Sequence, residues 1–467
     1  MEKTHGKGSK AEMKKRSAAW PVLILAVCLM CAGCGEKQAS PEPSAAETEA
    51  AAEGAEETKI EEAETEEIRE MTTEERAAAL REELWAKYRE TEGQNEERKA
   101  EDEGRVIKWG GVSMKYGMKV VGEPGDNGLY PLYIALHGGG SDETGRINED
   151  QWRQMAVYYL DEVKSGIYVN PRAVRDTWDC HSNPESYPIY DRLIENMILF
   201  HDADPDRVYL LGFSAGGDGV YQITPRMTDR LAAANMSAGH PNGVKLDNLY
   251  NMPLQLQVGI NDSSYNRNKV TAEYDLLLDK LADKYGGGYI HKTNIHIGYA
   301  HNFADYDGRE HEIVEDVNTY FRKGTYTSVK SLTGAIQFLN RYTRDPLPET
   351  VVWNLSTRAD KRETESFYWL SAPMTAKKGV IIAHADREAN AVSVTTDKDT
   401  DTAALTVLLS ARMFDFTKDI TVEVNGTAYT VSPQIRTEVM EETLAERGDP
   451  SYIFEDRVSL ADLTAGN

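Results

Sequence analysis

The pentapeptide Gly212–Gly216 (GFSAG) places Ser214 where its hydroxyl could act as a nucleophile. It directly follows the apolar run Arg207–Leu211 (RVYLL), which predicts a buried strand. A strand that feeds a G-x-S-x-G turn and then a helix holds the serine hydroxyl exposed above the sheet. The glycines are needed because neighbouring backbone comes too close to leave room for side chains. The pattern therefore predicts covalent catalysis by Ser214.

A glycine-rich loop upstream of this serine carries backbone donors that suit a developing negative charge. The run Pro131–Leu136 (PLYIAL) predicts a buried strand, and it leads straight into His137–Gly140 (HGGG). Glycine lets the main chain approach a substrate carbonyl closely, so that backbone N–H groups meet charge that develops only in the transition state. We expect this loop to lie beside Ser214 and to serve an acyl-transfer reaction.

A serine nucleophile needs a histidine base and a carboxylate that orients this base. The predicted strand Pro253–Val258 ends shortly before Asp262, and the predicted strand Asn294–Ile297 leads towards His301. Groups that follow parallel strands meet at one edge of a sheet, so we expect both side chains to reach Ser214. His301 would accept the serine proton, and Asp262 would fix the tautomer of His301 and stabilise its imidazolium.

Other residues compete for the roles of base and acid. His296 lies inside the strand pattern, which predicts a place in the core or on a face of the sheet. His311 falls in the stretch 309–322, which we interpret as helical. Asp218 follows Ser214 too closely to be the acid of a triad, and its position in the first turn of a helix favours a negative charge there.

The run Asp204–Gly217 (DPDRVYLLGFSAGG) resembles the elbow of the polyhydroxybutyrate-depolymerase-like and feruloyl-type esterases, which are α/β hydrolases. With the HGGG loop and the G-x-x-H segment of His301, the resemblance covers roughly residues 106–322. It implies a mostly parallel eight-stranded sheet flanked by helices and ester hydrolysis through an acyl-enzyme. One difference is that Asp262 lies in the segment VGINDSS, without the proline or valine that often follows the acid in this family.

The same resemblance implies which groups form the oxyanion hole. They are the N–H of Ala215 and the N–H of one of Gly138 or Gly139. This chemistry needs neither a metal ion nor an organic cofactor, and we expect none.

Loops near the predicted strand ends should also supply the walls of the substrate pocket. We expect four side chains to shape the acyl or alcohol pocket: Trp178, His181, His240 and Tyr299. Cys180 precedes one of these histidines, but the serine machinery makes a second nucleophile superfluous. We therefore interpret Cys180 as a loop thiol.

Residues 1–33 have the pattern of a bacterial lipoprotein signal peptide. A basic stretch precedes the apolar run Pro21–Met30, which is too short to span a bilayer comfortably. The run closes on CAGC, which resembles a lipobox with Cys34 as the lipid-modified new amino terminus, although Cys31 stands where leucine is usual. An uncleaved anchor helix is the alternative. Both interpretations predict a chain held at the membrane, at the bacterial cell surface or in the periplasm.

The segment 34–71 is interpreted as an acidic, disordered tether, because residues 36–70 hold 13 acidic and 3 basic side chains and few large apolar ones. The segment 72–104 is predicted to be helical. It starts with the capping-box pattern TTEE, and it carries an apolar stripe that we expect to dock on the hydrolase domain: Leu80, Leu84, Trp85 and Tyr88. The formal net charge of −25 argues against nucleic acid as a partner.

The catalytic domain is predicted to span residues 105–324, and residues 325–344 are interpreted as a connecting helix. The region 345–467 predicts a small, largely antiparallel β-domain. It contains several short apolar runs and an Asn425-Gly426 pair, which is a strong signal of a hairpin turn. Trp353 and Trp369 are of a type that can stack on sugars, but tryptophan in strands more often belongs to the core.

The leading hypothesis is a surface-anchored serine hydrolase of carboxylic esters. Location and resemblance suggest acetyl or feruloyl esters of carbohydrates as its substrates. A peptidase or amidase of the same fold is the alternative, although the stretch between Cys34 and Gly104 is too short for the β-propeller of oligopeptidases. A third hypothesis is a non-catalytic lipoprotein that binds glycans through its β-domain.

Overall fold

A ten-stranded sheet carries the elements that the serine motif predicts. The protein was analysed as a computed structural model, which describes residues 71–359 and 362–465. The strands of this sheet, in chain order, are β1 (Val106–Trp109), β2 (Val112–Val121), β3 (Tyr130–Leu136), β4 (Gly166–Pro171), β5 (Ala203–Phe213), β6 (Ala233–Ser237), β7 (Leu254–Gly259), β8 (His291–His296), β9 (Glu310–Val314) and β10 (Ser328–Leu332). Their order across the sheet is β1-β2-β4-β3-β5-β6-β7-β8-β9-β10.

Helices lie between and beside these strands. In chain order they are α1 (Thr73–Gly93), α2 (Glu96–Gly104), α3 (Arg146–Tyr158), α4 (Ser186–His201), α5 (Ala215–Ile223), α6 (Arg267–Tyr285), α7 (Val317–Lys323), α8 (Ala335–Leu339), α9 (Thr437–Arg447) and α10 (Leu460–Thr464). Strands β4, β3, β5, β6, β7 and β8 pair in parallel, in that order, and the outer pairs are antiparallel.

Both faces of the sheet are buried, which explains why its central strands are continuously apolar rather than alternating. In β3, Leu132 and Ile134 belong to a core cluster that includes Leu193 of α4 and Val220 of α5. The intervening residue Tyr133 belongs to a second cluster, which contains residues of α3 and α8. Successive side chains therefore enter two separate cores, one on each face.

The predicted fold class, an α/β-hydrolase fold with a mainly-β C-terminal region, is confirmed. Strands β1 to β8 account for the eight predicted strands, and the antiparallel strands β9 and β10 extend the sheet beyond β8. The helix predicted over 309–322 is wrong at its start, because His311 lies in β9. In this strand, Glu310 and Glu312 are exposed, whereas Ile313 and Val314 at its end are buried.

The predicted connecting helix 325–344 is also wrong. Ser328–Leu332 forms strand β10, paired with β9, and only Ala335–Leu339 is helical. The main sheet therefore runs past residue 324, the predicted end of the catalytic domain. The apolar side chains of α8 fill the second core under β3 and β5, and this packing ties the segment to the sheet instead of leaving it as a linker.

The helix α1 begins with the predicted capping box. The N–H of Glu75 donates to Thr72 Oγ1 at 3.2 Å, and the N–H of Thr72 donates to Glu75 Oε2 at 2.7 Å. The apolar stripe of α1 contacts the C-terminal region rather than the hydrolase core alone. Leu84 packs in a cluster with Met440 and Leu444 of α9, whereas Trp85 also touches the core of the main sheet.

The C-terminal region contains two further sheets around one core. Its strands are β11 (Thr350–Asn354), β12 (Ser366–Phe367), β13 (Leu370–Ser371), β14 (Val380–Asp386), β15 (Ala391–Thr396), β16 (Thr406–Leu409), β17 (Ile420–Val424), β18 (Thr427–Val431) and β19 (Asp456–Ser459). Trp353 and Trp369 are both buried in this core. The apolar stretch 366–371 forms the two short strands β12 and β13, because Tyr368 between them has a φ of 54°.

Buried ion pairs connect the C-terminal region with the hydrolase region. Asp449 accepts hydrogen bonds from Arg344 at 2.9 Å and from Arg230 at 3.3 Å, and each of these side chains is about 1 % exposed. Arg447 lies 2.7 Å from Asp229 in the same layer. The described residues belong to one compact unit. The division at residue 345 stays a prediction.

The predicted signal peptide 1–33, the lipidation site Cys34 and nearly all of the tether 34–71 lie outside the described residues. Within the described part of the chain, none of the helices has the length and apolar character required to cross a membrane.

Candidate active site

Ser214 lies at a sharp turn between β5 and α5. Its backbone has φ 59° and ψ −119°, a conformation that is costly for a residue with a side chain and that is held here by the packing around it. A Cβ atom at Gly212 would lie 2.4 Å from the carbonyl oxygen of Gly216, and one at Gly216 would lie 2.1 Å from that of Leu136. Both positions therefore require glycine, and the turn has the geometry of a nucleophile elbow.

The structure brings the three predicted triad side chains into contact. His301 Nε2 lies 3.0 Å from Ser214 Oγ, and His301 Nδ1 lies 2.8 Å from Asp262 Oδ2. Each residue follows the carboxyl end of a parallel strand: Ser214 follows β5, Asp262 follows β7 and His301 follows β8. The serine hydroxyl can therefore pass its proton to a base that is itself oriented by a carboxylate that is only 2 % exposed.

Arg267 is a fourth member of this cluster, and it is not predicted from the sequence. Its Nε and Nη2 atoms donate to Oδ2 and Oδ1 of Asp262 at 2.9 and 3.0 Å, and Nη2 also lies 3.2 Å from His301 Nδ1. Burial opposes ionisation of Asp262, but the hydrogen bonds from His301 and Arg267 outweigh it and hold the pKa of Asp262 below its ordinary value. The carboxyl group is thus kept charged, as an orienting acid must be.

The HGGG loop packs against the elbow. A Cβ atom at Gly138 would lie 3.4 Å from the Cβ of Ser214. Gly139 has a φ of 126°, and its Cβ would overlap the amide of Asn148. The N–H of Gly140 is already used, because it donates to Asn148 Oδ1 at 2.9 Å. Of the three glycines, Gly138 and Gly139 therefore remain as candidates for oxyanion donors beside Ala215, which opens helix α5.

Two buried histidines hold the backbone of this loop. The N–H of Ala173 donates to His137 Nε2 at 3.1 Å, so His137 Nδ1 carries the proton and donates to the carbonyl of Gly138 at 2.6 Å. His181 Nε2 donates to the carbonyl of His137 at 2.9 Å. Burial lowers the pKa of His137 to about 4 and that of His181 well below its ordinary value. Both imidazoles are therefore neutral at physiological pH.

The buried carboxyl group of Asp305 connects the loop that carries His301 to the elbow. Asp305 accepts hydrogen bonds from the hydroxyls of Tyr158 at 3.0 Å, Tyr159 at 2.8 Å and Ser237. The carbonyl of Ser237 in turn accepts the N–H of Ser214 at 2.9 Å. Burial raises the pKa of Asp305, although these hydrogen bonds oppose the effect. This chain of contacts connects the base-bearing loop to the nucleophile.

Three of the four predicted pocket residues lie at a cavity of about 670 Å³ that opens on Ser214. Trp178 forms an exposed wall, with its ring against Gly140. His240 also lines the cavity, and its backbone N–H donates to Asp218 at 2.6 Å. His181 also borders this cavity, but its side chain is buried and bonded to the loop. Its evident role is to hold the loop in place.

The fourth predicted residue, Tyr299, borders a different cavity, of about 500 Å³. Gly138 and Phe213 line this second cavity, so it adjoins the elbow from the other side. Its walls are largely aromatic, with Tyr158, Phe303 and Tyr306 among them. Ser214 itself lines the first cavity, whereas the second, aromatic cavity reaches the elbow through Gly138 and Phe213.

Three residues for which the sequence predicted other roles lie near the site: His296, Cys180 and Asp218. His296 is fully buried, and its Nε2 lies 3.0 Å from Gln257 Oε1, as expected for a histidine inside the sheet. Cys180 is buried as well, and burial raises the pKa of its thiol to about 12, which makes it a poor nucleophile. The carboxylate of Asp218 accepts hydrogen bonds from the backbone N–H of His240 and from the side-chain amide of Asn242. Among the described residues, no hydrogen bond joins it to His301.

Comparison with known proteins gives limited matches. No protein-family model matches the chain. A stretch of 114 residues, 24 % of the chain, is 28 % identical to the bifunctional acetylxylan esterase/xylanase XynS20E of Neocallimastix patriciarum. The match covers 16 % of that protein, so the chain spans only about a sixth of the length of this curated relative.

Several solved structures share part of the fold. A thermostable esterase is 21 % identical with a TM-score of 0.33, covering 51 % of this chain and 62 % of that one. Est1E of Butyrivibrio proteoclasticus with bound ferulic acid is 14 % identical with a TM-score of 0.28, covering 42 % and 90 %. The acetyl xylan esterase of Aspergillus awamori is 13 % identical with a TM-score of 0.30, covering 41 % and 89 %.

Proposed function

We propose that this protein is a serine hydrolase that cleaves carboxylic esters through an acyl-enzyme. The observation that carries the proposal is the continuous contact from Ser214 Oγ through the imidazole of His301 to Asp262, with distances of 3.0 and 2.8 Å. Ser214 lies on a strained elbow beside a glycine loop with N–H donors. A hydroxyl, a base, an orienting acid and these donors are the groups that acyl transfer needs.

In the first half of the reaction, Ser214 Oγ attacks the ester carbonyl while His301 Nε2 takes the hydroxyl proton. Asp262 stabilises the resulting imidazolium. The N–H groups of Ala215 and of Gly138 or Gly139 stabilise the oxyanion of the tetrahedral intermediate. When this intermediate collapses, the bond to the alcohol oxygen breaks and the proton passes from His301 to the leaving alcohol.

In the second half, water replaces the alcohol. His301 Nε2 removes a proton from the water as its oxygen attacks the acyl carbonyl, and the oxyanion returns to the same donors. The intermediate then collapses with release of the acid, and Ser214 Oγ recovers its proton from His301. The cycle consumes one ester and one water and yields one acid and one alcohol.

We further propose acetyl or feruloyl esters of carbohydrates as the substrates. Trp178 and Tyr265 present exposed rings, at 66 % and 68 % exposure, on a cavity that Asp218 and Asn242 also line. Ring faces and polar groups of this kind suit the apolar faces and hydroxyls of a sugar. The aromatic cavity at Tyr299 suits an aromatic acyl group.

The proposal includes a lipid anchor on Cys34 at the bacterial cell surface or in the periplasm. It rests on the basic and apolar pattern of residues 1–33 and on the CAGC segment. Incorporation of labelled palmitate into the full chain, and its loss in Cys34→Ser, is the expected result. Equal labelling of both proteins would contradict the anchor.

The test of the hydrolase uses Ser214→Ala. Turnover of a short-chain aryl ester should fall by at least about 1,000-fold, since the acyl-enzyme can no longer form. A fluorophosphonate probe should add its mass to the tryptic peptide of the wild type that contains Ser214, and it should not label the variant. Ser264→Ala, an exposed serine on the loop after Asp262, is the matched control and should keep both activity and labelling. Unchanged turnover in Ser214→Ala would refute the proposal.

Matched ester and amide substrates define the scissile bond. A nitrophenyl ester and a nitroanilide of the same acyl group should differ strongly in favour of the ester. Release of acetate or ferulate from saccharide esters tests the carbohydrate part separately. Faster amide turnover would make the protein an amidase with the same nucleophile.

A further inference from the structure

Three side chains that take no part in the proposed hydrolysis meet beside helix α6. Asp275 and Asp279 are one turn apart on this helix, and His291 is the first residue of β8. His291 Nε2 lies 3.5 Å from Asp275 Oδ1 and 3.6 Å from Asp279 Oδ1. One ligand-type atom from each residue lies within 4.8 Å of the other two, so a single ion could contact all three after small side-chain rotations.

The imidazole is held in the orientation that a metal ligand needs. His291 Nδ1 lies 2.8 Å from the carbonyl oxygen of Tyr289, and this oxygen can only accept, so Nδ1 carries a proton. The other ring nitrogen, Nε2, then points at the two carboxylates. A backbone carbonyl that fixes the tautomer and the ring in this way is the usual outer partner of a metal-binding histidine.

The charges around the cluster also favour a cation. Across residues 71–359 and 362–465, the ion pairs of Asp275 and Asp279 are those with His291, with no lysine or arginine partner. Two carboxylates thus face one imidazole. Asp275 and His291 are largely buried from solvent, whereas the side chain of Asp279 is 62 % exposed and leaves access for water.

We propose that Asp275, Asp279 and His291 bind one divalent transition-metal ion, with Zn²⁺ as the best match. Zn²⁺ accepts one imidazole nitrogen together with carboxylate oxygens, and water at the exposed side completes its coordination. Ca²⁺ and Mg²⁺ prefer all-oxygen sites, so the imidazole disfavours both. The ion takes no part in the hydrolysis at Ser214.

Such an ion would join two elements that build the catalytic cluster. Helix α6 begins at Arg267, the residue that holds Asp262, and β8 leads into the loop of His301. A ligand pair on α6 and a ligand on β8 would fix the helix to the strand, and binding to the folded state alone would stabilise the protein.

The test is titration of the full-length protein, freed of metal with a chelator and dialysed, with ZnCl₂ alone. The wild type should bind one ion at this site, His291→Gln should lose this binding event, and Asp279→Asn should weaken it at least tenfold. Zn²⁺ should raise the Tm of the wild type by several degrees and leave that of His291→Gln unchanged. The matched control is Asp283→Asn, an exposed residue one turn further along α6, which should bind as the wild type does.

Three results would contradict this metal site. If the wild type shows no Zn²⁺ binding, the three side chains are an ion pair of two carboxylates with an imidazolium, and the proposal is wrong. Binding that persists unchanged in His291→Gln places the ion elsewhere, for example at His301, where it would also inhibit ester turnover. Because Asp279 is exposed, Asp279→Asn should fold normally, and unchanged affinity in this variant would also overturn the three-ligand site.

Discussion

Arg267 holds Asp262 through two parallel hydrogen bonds, from Nε to Oδ2 at 2.9 Å and from Nη2 to Oδ1 at 3.0 Å. The same Oδ2 atom contacts His301 Nδ1 at 2.8 Å. The carboxylate is therefore shared between a permanent cation and the base. A planar guanidinium fixes the plane of the carboxylate, which an unpaired aspartate on a loop could not maintain. We infer that Arg267 positions the triad acid.

Replacing this arginine should impair turnover more than binding. In Arg267→Met the Asp262 carboxylate loses its orienting partner, and we expect kcat to fall by about 10- to 100-fold because small displacements of a catalytic group have effects of this size. Arg267→Lys should lie between, since an ammonium cannot make the two parallel bonds. The measurement is kcat and KM for an aryl ester, together with circular dichroism to verify folding.

A matched control exists in Arg309, an exposed arginine on the segment after His301 that pairs with Asp307. Arg309→Met should leave kcat unchanged. If Arg267→Met and Arg309→Met behave alike, the pairing of Arg267 with Asp262 has no role in positioning.

The conformation of Gly139 leads to a second prediction. Because φ is 126° and an added Cβ would meet Asn148, Gly139→Ala should displace the loop and its N–H donors. We expect kcat/KM to fall by about 100- to 1,000-fold, which is the typical effect of losing one oxyanion donor. The measurement is steady-state kinetics at constant folded fraction.

Gly128 provides the control for backbone strain in this experiment. It has a φ of 76° with no atom within 4 Å of an added Cβ, and it precedes the amino end of β3, at the opposite edge of the sheet from the loop. Gly128→Ala should lower stability slightly and leave kcat/KM intact. Equal kinetic effects of the two substitutions would mean that Gly139 matters only for folding.

The parts of the site that the sequence predicted have short-range signals. The elbow at Ser214, the HGGG loop and the strands before them are each contained in about ten residues of chain, and the structure has the strands where the apolar runs predict them. His301 and Asp262 were inferred because each follows an apolar run that ends at the same edge of the sheet. Their convergence on Ser214 is then a consequence of parallel strand direction.

Arg267 had no comparable signal. It reaches Asp262 only because Tyr265 and Asn266, with φ values of 54° and 56°, turn the chain back before α6 begins. Nothing in the composition of this segment predicts two consecutive left-handed residues. Helix α9 does have a signal, because Val439, Met440 and Leu444 recur at helical spacing, but this short pattern lies among predicted strands.

The neutral histidines under the HGGG loop predict how stability depends on pH. His137 has a pKa of about 4 in the folded protein and about 6.5 when unfolded, so between these values the unfolded chain binds more protons. The free energy of unfolding should therefore decrease as the pH falls from about 6.5 to about 4, and His137 alone contributes about 3 kcal/mol to this decrease. Urea unfolding of the wild type and of His137→Gln at pH 7 and pH 4 measures the difference. Equal losses in both proteins would contradict it.

The buried ion pairs at Asp449 predict that the C-terminal region is required for a stable hydrolase. Burial opposes ionisation of Asp449, but Arg344 and Arg230 outweigh it and hold its pKa below the ordinary value. In Asp449→Asn, Arg344 keeps its ion pair with Asp206 and Arg230 keeps its ion pair with Asp191, but each loses one partner in a buried layer. We therefore expect a loss of stability below the about 3–5 kcal/mol that breaking an isolated buried pair costs. We expect the urea midpoint to fall accordingly, whereas Asp399→Asn, at an exposed turn, should leave it unchanged. Because Arg230 belongs to the hydrolase region, ester turnover should disappear in the same urea transition as the tryptophan fluorescence of the whole protein, to which Trp353 and Trp369 of the C-terminal core contribute. Two separate transitions would show that the regions unfold independently and that Asp449 does not couple them.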